Sequence, residues 1–148
     1  MPRLLILAVL SVVACGRGTP RPIAYGAEPC THCHMTIADP RFVAEAVLST
    51  GKVLAFDDIG CLANWLRAER RQVKAVWVAP FTGGEWLAAE QAAFLRTDSL
   101  RTPMASGLIA LPSAAVADSL RATLGGTLQS WSEVADATLS PHVGAGAS

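Results

Sequence analysis

The sequence predicts an α+β fold built from two small ββαβ units. Short apolar runs of strand length are separated by Gly, Ser, Asp and Pro. Two stretches, residues 59–71 and 114–124, carry apolar side chains at helical spacing behind a capping residue. The order strand, strand, helix, strand then occurs twice, over residues 28–79 and again over 80–135. A chain of 148 residues is long enough for one ordinary domain or two small ones.

The chain opens on "MPRLLILAVLSVVAC", in which one arginine precedes an apolar run from Leu4 to Ala14. That run is about 11 residues, too short for a bilayer core that needs roughly 20. It fits a signal peptide over residues 1–14. "VVAC" looks like a bacterial lipobox, with cleavage before Cys15 and lipid on its thiol. The stretch 15–27, "CGRGTPRPIAYGA", is rich in Gly and Pro and is expected to be a flexible tether.

In the first unit "RFVAEAVL" and "KVLAF" are expected strands around the turn "STG". "DD" caps the helix "IGCLANWLRAERR", whose stripe is Ile59, Leu62 and Leu66 with Trp65 beside it, and "VKAVWVA" closes the unit. "PFTGGEW" is turn-rich. In the second unit "AAFLRT" and "GLIAL" are strands around the loop "DSLRTPMAS". "PS" opens the helix "AAVADSLRATL", with Val116, Leu120 and Leu124 as its stripe; "GG" ends it and "TLQSW" closes the unit. Residues 136–148, with His142, form a tail of small residues, Pro and Gly.

The composition, 51% hydrophobic and 16% charged, excludes a disordered chain. A formal net charge of zero argues against nucleic acid as a partner. With Cys15 acylated, Cys30, Cys33 and Cys61 remain. An odd number of thiols in an oxidising compartment leaves one unpaired, and a metal is the obvious use for it.

The chemistry concentrates in "PCTHCHM", residues 29–35. Read literally, Cys30 to His34 is the haem-attachment pattern, with Met104 or Met35 available opposite. A c-type haem, however, wants a helical apolar shell, and Pro40 stops any helix early. A structural zinc site has Cys30, Cys33 and Cys61 in treble-clef-like order. It lacks a fourth ligand on the helix, where Asn64 stands, and His32 would substitute only with strain. Thiol redox chemistry wants C-x-x-C at a helix N-terminus, whereas the segment after Cys33 looks extended. A Cys30–Cys33 disulfide or plain buried thiols are further options. Copper(I), soft and content with two or three ligands, suits Cys33 and Met35, which would share one face of an extended strand. Met104 lies in the loop "TPMASG", between Pro and Gly. Cys61, behind a helix cap, is expected to sit in a positive field as a thiolate.

With these residues in hand, the chain resembles the NosL family, the accessory lipoproteins of nitrous oxide reductase. The resemblance rests on "VVAC", on "CTHCHM" followed by "IADPRFVAE", on "GKVLAFDDIGCLANWL", on "GEWLAAEQAAFL" and on "TPMASGLIAL". It implies a lipid-anchored protein of the bacterial cell envelope, facing the periplasm or exterior, that binds Cu(I) and delivers it to a copper enzyme, without catalysis of its own. It also implies two homologous ββαβ units similar to those of organomercury lyase. Cys33 and Met35 carry over as ligands, followed by Met104; Cys30 and Cys61 match only some relatives. The family's glycine before the methionine is replaced here by His34, a possible nitrogen ligand. The readings left beside it are a monohaem cytochrome and a thiol enzyme related to organomercury lyase.

Overall fold

The computed structural model of the chain describes residues 18–69 and 72–136. The leader over 1–14, the acylation candidate Cys15, His142 and the tail beyond Asp136 lie outside them. No helix among the described residues is long and apolar enough to cross a membrane.

The first sheet starts with β1 (Ala44–Leu48) and β2 (Val53–Phe56), joined by the turn "STG". Gly51 adopts φ +87° there, a conformation that costs glycine nothing. The strands pair antiparallel, with Ala44 opposite Phe56 and Val47 opposite Val53. Every residue of β1 is buried, because β3 (Val73–Val78) flanks its other side. Helix α1 (Ile59–Ala68) connects β2 to β3 and packs Ile59, Leu62 and Trp65 inward, with Trp65 stacked obliquely on Phe56 at 5.4 Å. It stops at Ala68, three residues short of the expected end.

The second unit repeats the plan. Strand β5 (Ala93–Arg96) is central and β6 (Leu108–Leu111) pairs antiparallel on one side of it. Helix α2 (Ala114–Leu124) follows, capped by the Ser113 side chain on the Val116 N–H, and β7 (Thr127–Gln129) pairs on the other side. In both sheets the unit's first strand is central, its second strand lies on one side and its third on the other. The two ββαβ units therefore share topology as well as order.

Three features depart from the expected boundaries. β4 (Leu87–Ala88) comes from the stretch between the units and adds to the first sheet beside β3. The closing run "TLQSW" divides: β7 ends at Gln129, and Trp131 opens a helix, α3 (Trp131–Asp136). Ser130 and Glu133 form a reciprocal capping box, Glu133 accepting from the Ser130 N–H at 2.6 Å and Ser130 Oγ from the Glu133 N–H at 3.3 Å. Finally, residues 18–27 are not a loose tether. The Trp77 Nε1–H donates to the Gly18 carbonyl at 2.8 Å, the Arg21 N–H donates to Glu45 at 2.9 Å, and Ile23 enters the core.

The principal core crosses the unit boundary. Phe94, Leu108, Ala110 and Val134 of the second unit pack with Ile37, Phe56, Ile59 and Leu62 of the first. The Phe81 N–H donates to the Ala110 carbonyl at 2.9 Å, a bridge from the linker to β6. This places the loop before β6 against the N-terminal end of α1.

Candidate metal centre

The stretch "PCTHCHM" is a knuckle. The Cys30 N–H donates to the Met35 carbonyl at 2.8 Å, the His34 N–H donates to the Cys30 carbonyl at 3.0 Å, and Pro29 bridges Thr36 in antiparallel sense. The Thr31 N–H donates to the Ala55 carbonyl at 2.9 Å and ties the turn to β2. The extended strand expected from Cys33 to Met35 is therefore corrected. Residues 31–33 turn, and His34 sits in the left-handed region at φ 62°. Cys33 and Met35 are not successive members of one strand face, because a left-handed residue between them reverses the chain direction. Cys33 is half-buried, whereas Met35 is exposed at 57%.

Immediately after β2 come Asp57 and Asp58, both buried, and then α1 with Cys61 in its first turn. One ligand atom from each of Cys30, Cys33, Asp57 and Cys61 lies within 4.8 Å of all the others. Cys30 and Cys61 are fully buried and none of the three thiols is in a disulfide. The Cys33 Sγ–H points at both oxygens of Asp57, at 3.4 and 3.5 Å. The structure thus joins three of the sequence candidates and adds Asp57, which had been assigned with Asp58 to helix capping. Only one residue can be the N-cap, so a doubled Asp four residues before a cysteine was the available signal.

Charge within this cluster is organised by hydrogen bonds. The neighbouring Cys61 thiol, opposed by burial and helped by the backbone at Cys33 and Asp57, holds Cys30 down to about 6. The hydrogen bond with Cys30, and burial, push Cys61 upward. Burial first, then the neighbouring Cys30, pushes Cys33 up to about 11. The thiol whose pKa is lowered is therefore Cys30, not Cys61 as expected.

Asp58 links this edge to the second unit. Its Oδ1 accepts from the Gly60 N–H at 2.6 Å and caps α1, while its Oδ2 accepts from the Met104 N–H at 3.0 Å. The Met104 loop is shaped by its own polar residues. The Gly107 N–H donates to Thr102 Oγ1 at 3.2 Å, the Leu108 N–H donates to Ser106 Oγ at 3.2 Å, and Ala105 takes φ 55°. Gly60 leaves room for the contact, since a Cβ there would lie 2.5 Å from the Ser106 Cβ. Met104 is 37% exposed, and Met35, Met104 and Tyr25 are the large apolar side chains exposed among the described residues. His34 and His32 are exposed on the knuckle.

Comparisons with known proteins bear on the family and the fold. A family model described as NosL matches residues 23–139. The crystal structure of the copper chaperone NosL from Shewanella denitrificans matches at a TM-score of 0.72 and 21% identity, covering 80% of this chain and 97% of that one. No curated protein matches the chain.

Proposed function

The chain belongs to the NosL family, and from that premise we propose that it binds Cu(I) at the cell envelope and hands it by ligand exchange to a copper enzyme, nitrous oxide reductase. The observation that carries the reading is the docking of the Met104 loop on Asp58, one residue from the carboxylate that faces the thiols. It brings a thioether-bearing loop of one unit to the thiol-rich edge of the other. The solved copper chaperone with the same fold supports the choice of metal.

In this reading Cys33, Met35 and Met104 hold Cu(I), and Cys30, Cys61 and His34 stand behind or beside them. Thiolate and thioether suit a soft monovalent ion and leave a coordination position open. Cys33 supplies the negative charge, and its proton leaves as the metal binds. The exposed thioethers of Met35 and Met104 are weak, replaceable donors. An incoming thiolate, imidazole or thioether of the client enters the open position, and the ion passes through a shared-ligand intermediate with no change in oxidation state. The protein is a carrier in this scheme, without turnover chemistry. A lipid on Cys15 keeps it at the membrane.

The test is a competition titration of the purified protein against a Cu(I) chelator. We expect one Cu(I) per chain, a loss of affinity of at least roughly 100-fold in Cys33→Ala, and a loss of roughly 10-fold or more in Met35→Ala and in Met104→Ala. Unchanged affinity in Cys33→Ala would sink the reading.

A further inference from the structure

The first sheet has an open edge far along the chain from the thiols. On one side β3 pairs with β1, but on the other β4 covers only Trp77 and Val78. Among the described residues, Val73 to Val76 have no partner strand on that side. After β4 the chain leaves the sheet through one 3₁₀ turn, Ala89–Gln91. A groove of about 260 Å³ lies there. The β3 edge from Val73 to Trp77 forms one side of it, and Leu66 of α1 with Trp131 and Ala135 of α3 forms much of the rest. Leu66, Val76 and Trp131 are only half-buried. An unpaired apolar strand edge is a template for another strand, and proteins cover or blunt such edges. Lys74 is the one charged side chain between Val73 and Val76, and it leaves the two tryptophans of the groove uncovered.

We propose that the segment after α3, residues 137–140 with Pro141 beyond them, is the strand that fills this groove, pairing with the open edge of β3 and widening the first sheet. The chain is delivered to the right place. Ala135 lines the groove and Asp136 is the last residue of α3, so the chain leaves that helix at the groove's rim. The unpaired stretch from Val73 to Val76 extends about 13 Å, the length of four extended residues.

The sequence of the segment has the matching period. "ATLSPHV", residues 137–143, alternates without a break: Ala137, Leu139, Pro141 and Val143 are apolar, while Thr138, Ser140 and His142 between them are polar. That is the pattern of a strand with one buried face and one wet face. The apolar set meets the groove and the polar set meets water. Pro141 suits an outermost strand, where a missing N–H donor is tolerated, and it keeps the new edge from recruiting a further strand. Trp77 then serves both ends of the described chain, its Nε1–H holding Gly18 and its ring lining the groove. Neither the thiols nor the exposed methionines take part, so the segment docks whether or not copper binds.

Amide hydrogen exchange on the full chain tests this, beside a chain ending at Asp136 and beside Leu139→Asp in the full chain. We expect the edge amides between Val73 and Val76 to exchange at least roughly 10-fold faster in both variants than in the parent, with the amides of β1 and β6 unchanged. A synthetic peptide of residues 137–148, added to the shortened chain, should restore the slow exchange. Equal exchange at the β3 edge in the parent and both variants overturns the proposal and leaves the edge open, guarded by Lys74. Protection that survives in both variants and grows with protein concentration also overturns it, and assigns the groove to a second copy of the chain. So does faster exchange across the whole sheet that the peptide does not reverse. Should the shortened chain not fold, Leu139→Asp decides.

Discussion

Asp57 and Asp58 are chemically identical neighbours with different tasks, and the difference lies in what each backbone position can reach. Asp58, with β-region dihedrals, turns its carboxylate onto the Gly60 N–H of the helix and the Met104 N–H; Asp57, one residue earlier, faces the knuckle. The sequence makes the cap legible but not the division of labour, because the partner of Asp57 is 24 residues away. The same holds for His34. Nothing in "CTHCHM" announces a positive φ, since the left-handed turn goes with two backbone bonds, Cys30 N–H to Met35 and His34 N–H to Cys30. Left-handed dihedrals cost an L-residue about 1–2 kcal/mol, partly offset by the entropy glycine adds to the unfolded chain. His34→Gly is expected to stabilise the fold by about 0.5–1 kcal/mol, raising Tm by about 2–4 °C in a thermal melt.

Glu45 is the other residue whose state only the fold reveals. It lies on the central strand, fully buried, with Oε1 unpartnered and Oε2 accepting from the Arg21 N–H. Burial raises its pKa, the Arg21 backbone bond and charge oppose that, and Glu28 adds to it; Tyr25 faces the same region. Below the ordinary value of 4.5, Glu45 is protonated in both the folded and unfolded chain and its contribution to stability is complete. As pH rises through the raised folded pKa, that contribution is lost. Glu45→Gln should therefore exceed the parent in denaturant midpoint at neutral pH, with the difference closing in the acid range below 4.5. A constant difference across that range would refute the assignment.

At the scale of elements, the N-terminal end of α1 is where the units meet. Asp58 both caps the helix and holds the Met104 N–H, so Asp58→Ala should cost about 2 kcal/mol, at the upper end for a lost cap. Urea denaturation measures that cost, and the Cu(I) titration should register a weaker site in the same variant. Gly60→Ala makes a sharper case, because the usual sign reverses. Replacing a helical glycine by alanine ordinarily stabilises by about 0.5–1 kcal/mol. Here the new Cβ would press on Ser106 and on the Asp58 carboxylate. A destabilisation of about 1–3 kcal/mol is expected from overpacking, with Gly60→Ala unfolding at lower urea than the parent. The helices themselves were legible from periodicity and caps. α3 was missed although "SWSE" spells its capping box, because a six-residue helix is too short to show a period. β4, two residues long, has no pattern at all and exists only because β3 offers it an edge.

Across the whole molecule the repeat was visible as an order of elements, while its consequence for stability was not. The two sheets are separate, yet one hydrophobic cluster draws Phe94, Leu108 and Val134 together with Phe56 and Leu62. Ring contacts bind the last helix into it, with Trp131 at 5.7 Å from Phe94. A shared core of this kind predicts one cooperative unfolding transition, with tryptophan fluorescence and far-ultraviolet dichroism superimposing across the denaturant series. Two resolved transitions, one per unit, would contradict it.

The hold of Trp77 on Gly18 also sets a distance. If Cys15 carries lipid, as proposed, Gly16 and Arg17 are all the slack between the acyl anchor and a residue bonded to the sheet. Three Cα steps span at most about 10 Å, scarcely more than one leaflet's headgroup layer. The protein would then ride on the bilayer surface like a moored float, unable to swing its cargo outward. Under that proposal encounter with the client would become a two-dimensional search, and the client would have to bring its own metal-accepting ligands down to the membrane plane.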